Sequence, residues 1–184
     1  GYKYINPRIS HDGKYWYLSV SVEQDQESRK LTTESIGIDV GIKDLAVCSN
    51  GMTFQNINKT SKVSKIEKRL RRLQRSVSRK YNINKEGNRF VKTSNIIKQE
   101  KEIRLLHRKL TNIRTNHLHQ ASSQIVKTKP SAIVMEHLNI KGMMKNKHLS
   151  KAIVQQKLYE FKRQIQYKCE KYGIAFVEAD KWYP

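Results

Sequence analysis

Asp39 and Glu136 are the residues of this chain best placed to do chemistry. Each stands at the end of a short apolar run, Ser35 to Val40 and Ala132 to Met135, and such runs read as buried strands. A carboxylate at a strand end projects from a rigid element. If the two strands are neighbours the carboxylates converge, and a converged pair suits Mg2+ or Mn2+, hard cations that take oxygen ligands and bridge to phosphate oxygens. Two such ions about 3.5–4 Å apart activate water and stabilise the leaving oxygen of a phosphodiester. The same residues allow a plainer reading, in which Asp39, followed by Gly41, caps a turn and Glu136 pairs with a surface lysine. His117 and His119 are two apart, so on a helix they share no face and read as ordinary helix residues. Cys48 and Cys169, the only cysteines, form no CxxC pair; a disulfide framework is excluded and no zinc is expected in this chain.

The elements that must hold these groups follow from periodicity. Tyr15 to Val22 alternates, with Trp16, Leu18, Val20 and Val22 on one face, which predicts a half-buried strand paired with Tyr4 to Ile9 across an Asp12-Gly13 turn. The aromatic residues Tyr15, Trp16 and Tyr17 could serve as core or stack on bases. Gln24 to Thr33 is polar and reads as a linker. Leu45 to Cys48 and Met52 to Phe54 flank Asn50-Gly51, a strong hairpin signal, so three antiparallel strands begin at Ser35. From Lys59 the period changes. Val63, Ile66, Leu70, Leu73 and Val77 recur every three or four residues; after a break at Asn82 to Lys92, Ile103, Leu106, Leu110, Ile113, His117 and Ala121 continue the spacing toward Pro130. Two antiparallel helices sharing an apolar seam are predicted, followed by a strand at Ala132 to Met135, a helix from Leu158 to Tyr172 stopped by Gly173, and a strand at Ile174 to Val177.

The chain has 184 residues and a formal net charge of +21, which points to a polyanionic partner. The basicity is local: residues 59–129 hold 21 Lys and Arg against four Glu, a net +17. Lys62, Lys65, Lys68, Arg69, Arg72, Arg75, Arg79 and Lys80 on the first helix, with Arg104, Arg108, Lys109 and Arg114 on the second, are the candidates for phosphate contact. Hydrophobic residues make up 37% of the chain, enough for a core and too many for wholesale disorder. No run approaches the ~18 apolar residues of a membrane span. Gly1 to Ser10 lack the pattern of a secretory signal, so a cytoplasmic location and no membrane partner are expected.

The motifs themselves are more specific than their spacing. The string Gly37-Ile38-Asp39-Val40-Gly41-Ile42-Lys43-Asp44-Leu45-Ala46-Val47 closely resembles the first RuvC motif of TnpB, the transposon-encoded RNA-guided nuclease family related to type V CRISPR effectors. Glu136-His137-Leu138-Asn139-Ile140-Lys141-Gly142-Met143 resembles the second motif. Lys68 to Lys80 and His107 to Arg114 are similar to the family's basic helices, and Ala179 to Pro184 to the segment before its zinc ribbon. The resemblance runs through nearly the whole chain in the family's order.

It implies an α/β fold with an RNase H-like RuvC core over residues 34–184, into which a basic helical hairpin, 59–129, is inserted; residues 1–33 would be the end of a wedge-like β-barrel and a linker. It implies metal-binding catalytic roles for Asp39 and Glu136, a two-metal Mg2+ or Mn2+ site in the complete protein, and guide RNA and target DNA as partners. By the family's pattern the sequence stops ahead of the ribbon cysteines and of the third motif, whose aspartate completes the set; Asp180 matches a non-catalytic position. Two functions are therefore expected to compete: part of an RNA-guided, metal-dependent DNA endonuclease, or a nuclease-dead RNA- or DNA-binding protein on the same scaffold.

Overall fold

A computed structural model of the protein describes residues 3–23 and 30–179. In chain order the elements are β1 Tyr4–His11, β2 Trp16–Val22, β3 Ser35–Val40, β4 Asp44–Cys48, β5 Thr53–Gln55, α1 Ser61–Ile83, β6 Lys85–Glu86 and β7 Arg89–Phe90. They continue with α2 Ser94–Lys127, β8 Ala132–Glu136, α3 Ile140–Met144, α4 Ser150–Gln156, α5 Leu158–Tyr172 and β9 Ala175–Ala179. The chain divides into two compact units, Gly1–Glu23 with Lys59–Ile113 and Gln24–Asn58 with Arg114–Pro184.

The second unit is built on a mixed five-stranded sheet of order β5-β4-β3-β8-β9. β3 pairs antiparallel with β4 and parallel with β8, which pairs parallel with β9. Alternation explains its faces: Ile36, Ile38 and Val40 are buried on β3, as are Ile133 and Met135 on β8, so the residues between them emerge on the other side. The buried face packs with Leu118, Ala121 and Ile125 of α2 and with Leu158, Phe161, Ile165 and Cys169 of α5. The fully buried Phe161 ring is worth roughly 1.5–3 kcal/mol of hydrophobic stabilisation. Burial pushes the Cys48 and Cys169 thiols up to about 11 and about 12, which suits structural rather than reactive cysteines. α5 stops at Gly173, whose positive φ of 70° permits the left-handed cap that an L side chain resists.

A polar network ties α2 to α5 within this unit. Lys168 Nζ donates to Ser122 Oγ at 2.6 Å and Ser123 Oγ at 2.8 Å, and Ser122 Oγ donates to Gln164 Oε1 at 3.3 Å. Gln164 in turn donates to Glu160, which Arg163 grips with two bonds of 2.8 Å. Those Arg163 bonds, outweighing partial burial, hold the Glu160 carboxyl at about 2 against an ordinary 4.5. A carboxyl depressed on folding contributes stability that is present above its unfolded value and lost as pH falls through the folded one. Thermal unfolding should therefore show a loss between about pH 4.5 and 2, on the order of 1 kcal/mol after solvent screening, and Glu160→Gln should remove that part of the pH dependence.

The first unit joins a β-hairpin to two helices. β1 and β2 pair antiparallel, and the turn is held by Asp12, whose Oδ1 accepts from the Lys14 and Tyr15 amides at 3.0 and 2.9 Å. Arg108 of α2 ion-pairs with Asp12 and lies 5.0 Å from the Tyr15 ring centre. Every residue of β2 is exposed, Trp16 at 74% and Leu18 at 70%, which corrects the expectation of a half-buried strand: among the described residues no second layer covers either face of this two-stranded ribbon. α1 and α2 run antiparallel, burying Val63, Leu70 and Val77 of α1 and Ile96, Leu106 and Leu110 of α2. Arg69 pairs with Glu102 and Ser76 Oγ donates to Gln99 Oε1 at 3.4 Å across the helices.

The expected strands and helices are present with small shifts: β4 starts one residue earlier, and β5 and β9 start and end later than expected. The β6–β7 ribbon inside the predicted break and the short helices α3 and α4 are additions. Residues 59–129 are shared between the two units, which divide within α2 at Ile113. Residues 24–29 of the linker, and Asp180 with the Trp182-Tyr183-Pro184 ending, lie outside the described residues.

Candidate metal and nucleic-acid sites

The acidic pair is assembled by register. Ile38 of β3 is the partner of Met135 of β8 in a parallel ladder, so the residues that follow each, Asp39 and Glu136, occupy the same level of neighbouring strands about 4.8 Å apart. Since Ile38 and Met135 face the core, Asp39 and Glu136 emerge together on the opposite face. Asp39 is exposed and Glu136 half-buried. The condition posed by the sequence, that the strands be neighbours, is met. Neither carboxylate has a hydrogen bond or ion pair with another described residue; the turn cap for Asp39 and the lysine partner for Glu136 are not found among them.

Two like charges side by side without a basic partner repel, an arrangement that a hard divalent ion would relieve. The donor set therefore fits such an ion in kind but is short in number, because no group of three His, Cys, Asp or Glu gathers among the described residues. Nearest along the chain is His137, whose Nδ1 lies 2.8 Å from Glu178 Oε2, while Lys162 Nζ donates to Glu178 Oε1 at 2.6 Å. Those two partners, Lys162 foremost, hold the Glu178 carboxyl below its ordinary value. Glu178 is the ladder partner of Met135, so it starts from the opposite face and is already neutralised.

The loop after Asp39 is fixed by residues that carry almost no signal in the sequence. Buried Gln156, at the end of α4, donates from Nε2 to the Gly41 carbonyl at 3.0 Å, and Asn56 donates to the Ile42 carbonyl at 2.8 Å. Asn58 donates from Nδ2 to Gln156 Oε1 at 3.2 Å and accepts at Oδ1 from Arg114 Nε at 2.7 Å. Buried amides are placed where each bond is satisfied, and here they clamp the backbone two and three residues beyond Asp39. A polar Asn56-Ile57-Asn58 stretch just after a strand was the one available hint.

The basic candidates separate into two groups. On α1, Lys62, Lys65, Lys68, Arg69, Arg72, Arg75 and Arg79 are exposed and Lys80 is half-buried, spaced three and four apart on a face away from the apolar stripe. Arg104 and Lys109 of α2 are also exposed. Arg108 and Arg114 are half-buried and employed internally, the first by Asp12 and the Tyr15 ring and the second by Asn58.

Comparison with known proteins adds lineage to this geometry. Residues 18–147 match the family OrfB_IS605, described as "Probable transposase". A "Putative RNA-guided DNA endonuclease" of Streptomyces pristinaespiralis is 30% identical over 169 residues, covering 92% of this chain and 39% of that protein. The "Putative RNA-guided DNA endonuclease InsQ" of Escherichia coli (strain K12) is 30% identical over 179 residues, covering 89% and 41%. The chain thus spans about two fifths of the length of these relatives. A structure of a CRISPR-Cas12f ternary complex aligns with a TM-score of 0.52 at 19% identity over 91% of this chain and 33% of its own. A Cas12f1–sgRNA–target DNA complex aligns at 0.55 and 21% over 90% and 32%. These structures share with the chain a mixed α/β fold.

Proposed function

The chain belongs to the OrfB_IS605 transposase family, the TnpB relatives of type V CRISPR effectors, and from that premise we propose that it is the RuvC-like part of an RNA-guided DNA endonuclease. The observation that carries this reading is the pair Asp39 and Glu136, level on adjacent parallel strands, on one face and without basic partners among the described residues. An RNase H-like core is supported by a central strand flanked by one antiparallel and one parallel neighbour, with acids at the ends of the two parallel strands.

In this reading Asp39 and Glu136 would hold Mg2+ or Mn2+, which would supply water activation and charge stabilisation at the leaving oxygen. The protein's own part is positional. Gln156 and Asn56 fix the loop beyond Asp39, so that its carboxylate need not be ordered at the moment of reaction. The exposed basic face of α1 holds phosphates without reading bases, and sequence choice is left to guide pairing. Guide RNA and target DNA are accordingly the proposed partners, in the cytoplasm.

A second reading, a nuclease-dead binder of RNA or DNA on the same scaffold, draws on the exposed basic face of α1, which can hold phosphates without the acidic pair. Manganese titration followed by water proton relaxation tests the metal assignment on this chain. Weak binding is expected, with an Asp39→Ala/Glu136→Ala double variant losing it while keeping its circular dichroism and its melting temperature, since removing two repelling charges costs the core nothing. An equal metal response in parent and variant would sink the assignment.

A further inference from the structure

The tip of the helical insertion carries an aromatic surface that neither the metal site nor the phosphate face explains. Phe90 is 58% exposed, with Ile83 at 79% and Ile97 at 51% nearby in sequence at the ends of α1 and α2. A two-residue ribbon turning through Gly87, at φ +58°, places Phe90 opposite Lys85, and needs no ring there to form. The ring is nevertheless held. Tyr81 meets it edge-on at 6.0 Å and 83°, and the Tyr81 hydroxyl donates to Glu100 Oε1 at 2.6 Å. Lys92 Nζ closes the set on Glu100 Oε2 at 3.1 Å. Asn84 ends α1 by donating from Nδ2 to the Lys80 carbonyl at 2.7 Å, which fixes where the ribbon starts. Tyr81 and Phe90, with Ser78 and Asn82, border a shallow recess of about 260 Å³.

The surroundings choose the occupant. Lys85 Nζ sits 5.8 Å from the Phe90 ring centre, Arg89 precedes Phe90 in the ribbon and is exposed, and Arg79 is exposed in the last turns of α1; Glu86 and the already paired Glu100 are the acids at this end. Such a rim repels a second copy of this basic chain and attracts a polyanion that also has flat apolar faces. Single-stranded nucleic acid meets both conditions, because each base offers a π face next to a phosphate. We propose that the tip is a stacking platform, with Phe90 receiving an unstacked base of the bound strand and the cations around it holding the flanking phosphates. The assignment rests on the nucleic-acid reading above and adds a specific contact to it.

The test is fluorescence anisotropy of an oligothymidylate of about 20 nucleotides over a range of salt, with the parent chain, F90A, F90L and F90W, their helicity checked by circular dichroism. F90A and F90L should both weaken binding by about tenfold with an unchanged log–log salt slope, because a ring is lost and no charge is. F90W should bind as the parent or tighter. Variants F90A or F90L within about twofold of the parent would overturn the platform and leave the wider reading standing, whatever the tip then contacts. A parent that shows no salt-dependent binding would overturn both.

Discussion

Reversing Arg69, Arg72 and Arg75 to Glu weakens every nucleic acid by a similar factor, on the order of a hundredfold or more near ~0.15 M salt, and flattens the log–log salt slope by roughly 3. These are the expected results of anisotropy titrations with single-stranded RNA, single-stranded DNA and duplex DNA. The three side chains are exposed along α1, and each phosphate they neutralise releases a counterion. Phosphate contacts carry no base information, hence the uniform loss. Arg69 also pairs with Glu102 across the helices, so its reversal adds a like-charge contact; an exposed pair contributes only about 0.2–1 kcal/mol, and the fold should persist. A slope unchanged by the triple reversal would remove α1 as the phosphate face.

The other large effect belongs to a protein extended to the length of the relatives, supplied with guide RNA and Mg2+. There Asp39→Ala should reduce plasmid cleavage by on the order of a thousandfold, beyond the ~10- to 100-fold typical when an outer-shell partner of a metal ligand is lost. Target binding, measured by retention of labelled DNA, should be unchanged. The chain of 184 residues alone should nick supercoiled plasmid poorly even with Mn2+, since Asp39 and Glu136 have no third ligand group among the described residues. Robust nicking by that chain, abolished by Asp39→Ala, would show the acidic pair to be sufficient. An extended protein with guide RNA that cleaves nothing would shift the assignment to the nuclease-dead binder.

What could be read from the residues depended on how local the signal was. β3, α5 and the hairpin turns at Asp12-Gly13 and Asn50-Gly51 are dictated by alternation, by three-and-four spacing and by turn chemistry within a few positions. The resemblance of the Asp39 and Glu136 motifs to known ones identified the candidates. Their adjacency required the β3–β8 register, which no local pattern encodes. α3 and α4 were missed because each has only a turn or two; α4 ends at Lys157 in the left-handed region, at φ 54°. Gln156 and Asn58 look like surface residues in sequence, and become visible only when the fold brings Gln156 against Gly41 and Asn58 against Gln156. The exposed face of β2 failed for the opposite reason, since its alternation is real but nothing described covers it.

The parallel pairing of β3 with β8 has a consequence for the order of events during synthesis. Glu34 and Ser131, bonded just before the two strands pair, are separated by 97 positions, and the intervening helices are made first. Closing so long a loop is slow relative to forming a helical hairpin, although each doubling of its length adds only about 0.6 kcal/mol. The growing chain therefore displays its cations while Asp39 has only Val47 of β4 beside it and not yet Glu136; under the proposed function, a phosphate-holding face would be ready before the metal site. An insertion that lengthens or shortens between β5 and β8 would change that interval at little thermodynamic cost, leaving the acidic pair where the sheet puts it.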